Sequence, residues 1–195
     1  HDLKRLNNTL LRLTSGIALI NYPLMIGMAI TASEFVPILL GNNWLEVTLL
    51  LQILCLIGLI KSVDPLITQA FISTGKAHIT ARYTSLCAIT IPLSVFVGSV
   101  QGGLPGAAIG MAVAYPLSSV YLFAAAKHHL QLSLGQYFRA IRLPLEASVW
   151  MAIFVLGFSK LLISIGIHQA PVLLVSKVIV GVFAYVIFLI YVKKL

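Results

Sequence analysis

Lys61, Asp64 and Thr68 are the residues of this sequence best placed to do chemistry, because an apolar stretch surrounds them. On one continuous helix their spacings of three and four would put all three on one face. An ammonium there can meet an anionic substrate, and a carboxylate beside it can tune that cation or carry a coupling proton. An unpaired charge at mid-bilayer costs at least about 2.5–3.5 kcal/mol on insertion scales, so a retained charge faces a cavity or a partner. Pro65 cannot donate to the carbonyl of Lys61, which leaves that oxygen in the same polar group. The competing reading is a local ion pair near the cytoplasmic end, with Lys61 snorkelling to the interface. Asn21 and Tyr22, just ahead of Pro23, form a second polar notch. It either lines the same cavity or makes a helix–helix hydrogen bond at a proline bend.

The elements that must carry these residues are transmembrane helices. Mean hydropathy is +1.02 and charged residues are 9% of the chain, too few to solvate a water-soluble domain of 195 residues. A bilayer core takes about 20 apolar residues in a helix, since only helices and closed barrels satisfy the backbone without water. The expectation is an all-α, polytopic bundle with six spans near 14–40, 45–74, 84–99, 106–126, 145–165 and 171–192. Residues 1–13 read as a basic cytoplasmic loop, and 14–126 as a four-helix part of a transporter. Residues 127–144 read as a second cytoplasmic loop, and 145–195 as two trailing spans.

Orientation follows from the basic residues. Lys4, Arg5, Arg12, Lys76, Arg82, Lys127, Arg139, Arg142, Lys193 and Lys194 fall at one face, while loops 41–46, 99–105 and 166–170 have no Lys or Arg. The positive-inside rule puts both ends of the chain in the cytoplasm. The net charge of +8 then reflects topology and anionic headgroups, and nucleic acid is not expected as a partner. Lys160 and Lys177 lie toward the outer ends of the last two spans and are expected to snorkel outward. Glu34, Glu46 and Trp44 gather near the first outer loop, where Trp is a common interface anchor.

Gly102, Gly106, Gly110, Ala114 and Ser118 recur every four residues and form a strip of small side chains. Such a strip admits a close helix, either within the chain or from a second copy. Residues 133–142 join a capping-box pattern, Ser133 with Gln136, to Tyr137, Phe138 and Ile141 alternating with Arg139 and Arg142. That reads as a short interfacial helix with its aromatic face toward the membrane. Cys55 and Cys87 lie inside spans without a ligand cluster, and His128 and His129 read as loop residues, so neither metal nor cofactor is expected. Asn7-Asn8-Thr9 matches a glycosylation acceptor on the cytoplasmic side. No nucleophile elbow, metal-spaced His or Cys set or phosphate-cradling Gly loop is present, so an enzyme is not expected.

The order of residues resembles a known family. Leu10-Leu11-Arg12-Leu13-Thr14 is followed by Ile20-Asn21-Tyr22-Pro23-Leu24-Met25-Ile26-Gly27, then by Glu34-Phe35-Val36-Pro37-Ile38-Leu39-Leu40-Gly41 with Trp44. Leu51-Gln52-Ile53-Leu54, Gly58-Leu59-Ile60-Lys61-Ser62, Phe71 to Gly75-Lys76 and Gly103 to Ala114 continue the order. Over roughly residues 4–143 the chain is similar to the polysaccharide-export branch of the multidrug/oligosaccharidyl-lipid/polysaccharide exporter superfamily; the last two spans match only in hydropathy. The resemblance implies a Wzx-like flippase of lipid-linked oligosaccharide in the bacterial inner membrane, working by alternating access between two helical lobes. It implies that this chain is the last six spans of a longer protein, most of the C-terminal lobe plus trailing helices. Its partners would be the N-terminal lobe, a polyprenyl-pyrophosphate-linked oligosaccharide, the bilayer and polysaccharide-assembly proteins. Lys61 would then be one cation for the pyrophosphate. A multidrug antiporter of the same superfamily is the alternative, though it would use a more acidic cavity. A non-transporting membrane assembly protein would need no polar cavity.

Overall fold

The computed structural model describes residues 2–167 and 169–194. Six α-helices follow in order: α1 (Asp2–Leu39), α2 (Val47–Lys61), α3 (Asp64–Ser73), α4 (Ala77–His129), α5 (Leu134–Ser164) and α6 (Ala170–Lys194). A 3-10 turn, Asn42–Trp44, links α1 to α2. Five helical stretches are long and apolar enough to cross a membrane: Lys4–Leu39, Val47–Ser73, Ala77–His129, Leu134–Ser164 and Ala170–Tyr191.

The count of five rather than six comes from α4, two helical limbs joined at a kink with no loop between them, so that the chain folds back on itself. Gly102 (φ −143°, ψ 19°) and Gly103 (φ 59°, ψ −142°) leave helical geometry, and the backbone of Gly103 is one that a side chain would strain. The two limbs run antiparallel and in close contact. A Cβ added at Gly106 would overlap the carbonyl of Gly98, one at Gly98 would overlap Gly106, and one at Gly110 would overlap the carbonyl of Ser94. Further along, the hydroxyls of Thr90 and Ser118 lie 3.1 Å apart. Ala114 and Ser118 are buried, whereas Gly102 sits at the turn itself, with open space around it. The small-residue strip thus lies where backbone meets backbone, an approach any larger residue would block.

Three further expectations change. Residues 2–13 are not a loop: α1 is helical from Asp2, because Leu10, Thr14 and Ala18 repeat every fourth position as a buried stripe. At 38 residues this helix is about 57 Å long, well beyond the roughly 30 Å hydrocarbon core. Next, the stretch 45–74 is divided at Ser62-Val63, where α2 stops and α3 starts with Pro65 in its first turn. Proline fits there because the amide it lacks would have no helical acceptor. Finally, residues 134–142 are not a separate interfacial helix, since α5 continues through Pro144 to Ser164. Tyr137 and Ile141 are buried, and Tyr137 meets Phe123 edge-on at 4.8 Å, while Phe138, Arg139 and Arg142 are exposed. The aromatic face is split between protein and surroundings.

The chain forms two compact units, one of residues 1–21 and 57–142 and one of residues 22–56 and 143–195. The first is centred on Leu10, Ile67, Phe71, Ile79, Tyr83, Leu122 and Leu130. Away from this core α4 presents Ile89, Phe96, Val100, Leu117 and Val120, each more than 60% exposed. An apolar surface of that extent is stable in lipid and not in water.

Candidate functional site

In the first unit the break between α2 and α3 places Asp64 at the first position of α3, buried, with Lys61 at the last position of α2, exposed. One carboxylate oxygen, Oδ2, accepts hydrogen bonds from the Tyr83 hydroxyl at 2.8 Å and from the Ser119 hydroxyl at 3.2 Å. The donors come from opposite limbs of the α4 hairpin, so the glycine-tight pairing of those limbs is what aims both at one oxygen. The other oxygen, Oδ1, is buried and has no hydrogen-bond partner. A buried acceptor left unsatisfied costs about 1–3 kcal/mol, more when charged. This carboxyl is therefore held by two neutral donors with acceptor capacity to spare.

Lys61 does not lie against that carboxylate. Its Nζ sits 5.0 Å from the centroid of the Tyr115 ring, within reach of a cation–π contact, and it acts on Asp64 through space. Thr68, one turn beyond Asp64 on α3, donates its hydroxyl to the Pro65 carbonyl at 2.9 Å, and its own carbonyl accepts from Thr80 at 3.2 Å. The shared-face expectation assumed one helix through residues 61–68, whereas Lys61 ends α2 and Asp64 and Thr68 belong to α3, across the turn at Ser62-Val63. Asn21 is half-buried at the end of the first unit's share of α1 and makes no hydrogen bond to the Asp64 group among the described residues. Tyr22 is buried in the second unit.

Tyr83 and Ser119 are the residues that sequence reasoning missed here. The available signal was the need of a buried carboxylate for donors, which points to hydroxyls elsewhere in apolar stretches.

The second unit holds another carboxylate, half-buried. Lys177 Nζ lies 2.8 Å from Glu34 Oε1, with side-chain exposures of 5% and 14%. The same ammonium is 3.5 Å from the Ile30 carbonyl, and the Ser33 hydroxyl donates to Glu34 Oε2 at 3.1 Å. This overturns the expectation that Lys177 snorkels outward. A carboxylate on α1 gives it a nearer partner than the interface does. Lys160, by contrast, is exposed. Gln52 adds a polar contact within this unit, donating from Nε2 to the Ala29 carbonyl at 3.1 Å.

Neither group has the composition of a metal site, and among the described residues no cluster of three or more His, Cys, Asp or Glu side chains could hold an ion. What the two groups can do is keep charge inside an apolar bundle.

Residues 1–49 match the family model described as polysaccharide biosynthesis protein. Over 149 residues the chain is 24% identical to the lipopolysaccharide biosynthesis protein WzxC of Escherichia coli K12, covering 76% of this chain and 30% of that protein. It is 25% identical over 153 residues to the teichuronic acid biosynthesis protein TuaB of Bacillus subtilis 168, covering 76% of this chain and 31% of that one. It is also 27% identical over 119 residues to an uncharacterized membrane protein in the cps region of Klebsiella pneumoniae, covering 61% and 24%. The chain thus spans 24–31% of the length of these relatives. No solved structure matches it.

Proposed function

We propose, from the premise that this chain is a membrane protein of the Wzx-like polysaccharide-biosynthesis family, that it forms part of a flippase for lipid-linked oligosaccharide. In this reading α4 crosses the membrane twice, giving six crossings with both ends of the chain in the cytoplasm. The headgroup, a sugar on pyrophosphate, passes a polar surface while the polyprenyl tail stays in lipid. Two helical bundles alternate in access about that surface. The task is transport, and no side chain is asked to make or break a bond.

The observation that carries this reading is the pairing of a buried carboxyl with an exposed cation at one helix break. Asp64 is fixed by Tyr83 and Ser119, which leaves Lys61 outside the carboxylate's hydrogen bonds, resting on Tyr115. An ion pair would have neutralised Lys61; here its ammonium stays available to a pyrophosphate. A retained charge inside an apolar bundle is by default a group that meets substrate or partner.

The test is export of lipid-linked glycan in cells whose copy of the protein carrying this chain has Lys61→Gln, with membrane abundance measured alongside. Normal abundance with export reduced at least tenfold is the expected result. Unchanged export would remove Lys61 from the site. Cysteines placed singly at Gln101 and at Gln131 and probed with a membrane-impermeant thiol reagent test the six crossings, with labelling from outside expected only at position 101.

A further inference from the structure

The two ends of the α4 hairpin meet in a group of bases that neither the transport reading nor the apolar core uses. Lys76, just ahead of α4, donates from Nζ to the carbonyl of His129 at the far end of the same helix, 2.9 Å away. The rings of His128 and His129 meet edge to face with centroids 4.7 Å apart. Lys76, His78 and His128 all act electrostatically on His129. His78, Lys127 and His128 are exposed, while Lys76 and His129 are half-buried.

The simplest use for cations at this point, capping the end of a helix, is met by Lys76 and by groups outside the cluster, and by none of the imidazoles. The His129 carbonyl takes Lys76, the Leu130 carbonyl takes the Asn7 amide at 2.9 Å, and the Ala126 carbonyl takes the Leu130 amide at 3.0 Å. That leaves the imidazoles without a structural task. Nor does a carboxylate balance them: Asp64 is the one acidic residue among the described side chains of this unit, and it is buried on Tyr83 and Ser119. Arg82, one turn beyond His78 and exposed, adds charge of the same sign. On the second limb the group begins at residue 127, directly after the apolar run 106–126, which is the depth of lipid headgroups for a helix crossing there.

We propose that Lys76, His78, His128 and His129, with Lys127 at the rim, form a site for the phosphate of an anionic membrane lipid. Desolvation, followed by the charges of His128, Lys76 and His78, holds the His129 imidazole below its usual value. A phosphate among them reverses that balance, so the lipid and protons bind together and the site strengthens as pH falls. The phosphate can come from bulk phospholipid or from a polyprenyl diphosphate. The chemistry of the site is the same for both, and it does not rest on the transport reading.

The test uses the protein carrying this chain in nanodiscs of equal phosphatidylglycerol and phosphatidylcholine, with retained lipids counted by native mass spectrometry at pH 8 and pH 5.5. The preference for phosphatidylglycerol is expected to rise at least about fivefold at the lower pH, the ratio one added cation gives at an anionic surface. The variant His78→Gln/His128→Gln/His129→Gln is expected to lose that rise, and His78→Gln/His128→Gln, confined to exposed positions, to lose part of it. Equal retention of the two lipids by the native protein at pH 5.5 would overturn the site, as would an unchanged pH response in the triple variant. Adding polyprenyl diphosphate at a few mole per cent separates the sources. Displacement of phosphatidylglycerol assigns the site to the carrier, and continued retention assigns it to bulk lipid.

Discussion

The two units each hold a carboxylate in an apolar surrounding, buried in the first and half-buried in the second, and stabilise it by opposite means. Glu34 in the second unit has a counter-ion, Lys177 at 2.8 Å, so the pair is neutral as a whole. Asp64 in the first has only hydroxyl donors, Tyr83 and Ser119, on one oxygen, and its other oxygen is bare. An ion pair fixes a charge state and ties α1 to α6. A hydroxyl cradle fixes a position and leaves the charge state free to respond to what comes near. The first arrangement suits a fastening, the second a site.

This contrast is broken most forcefully in the second unit. Lys177→Met leaves the half-buried Glu34 without its cation and is expected to destabilise by about 3–5 kcal/mol, read as a lower thermal midpoint in detergent. The double change Glu34→Gln/Lys177→Met is expected to recover most of that loss, since neither charge then remains. If the double variant were as unstable as the single, the pair would be more than a fastening. In the first unit, Tyr83→Phe removes the shorter of the two bonds to Asp64 and leaves a buried acceptor less satisfied, at an expected cost of about 1–3 kcal/mol. Asp64→Asn at the same point is expected to keep the fold, because an amide oxygen still accepts from both hydroxyls; unfolding by this change would contradict the cradle. Ser119→Ala, losing the 3.2 Å bond, is expected to cost about 0.5–1.5 kcal/mol. Lys61→Gln is expected to be the mildest for stability, within about 1 kcal/mol for a cation–π contact at an exposed site, and the most severe for export. A Lys61 variant that melts early would place Lys61 in the packing and not in the site.

The membrane character, the all-helical class and the isolation of Asp64 in an apolar stretch were legible in residue types and their spacing. So were the small-residue positions at 102, 106, 110, 114 and 118, though not which surface they would meet. That surface is the preceding limb of the same helix at Gly98 and Ser94. What stayed hidden has two physical origins. The first is local: Asp64-Pro65 is a turn-starting pair, but a proline within an apolar run also fits a bend in one long helix, and hydropathy does not separate the two. The second is distance along the chain: Glu34 and Lys177 are 143 residues apart, and Asp64 and Ser119 are 55 apart. Each of those side chains is ambiguous alone, and its meaning comes from a partner that periodicity cannot locate. At the start of the chain Lys4, Arg5 and Arg12 suggested a loop, while the buried Leu10 among them and Thr14 just after them carry α1 through it.

The Gly102–Gly103 turn also bears on how the molecule is made. Gly98 and Gly106 lie only eight positions apart in the sequence and touch, whereas Thr90 and Ser118 are separated by 28 and Asp64 and Ser119 by 55. Loop-closure entropy rises with separation, so contacts nearest the turn form at the least entropic cost. On that ground the limbs are expected to close like a zip from Gly103 outward, with the donors that hold Asp64 falling into place only when the zip has run most of its length.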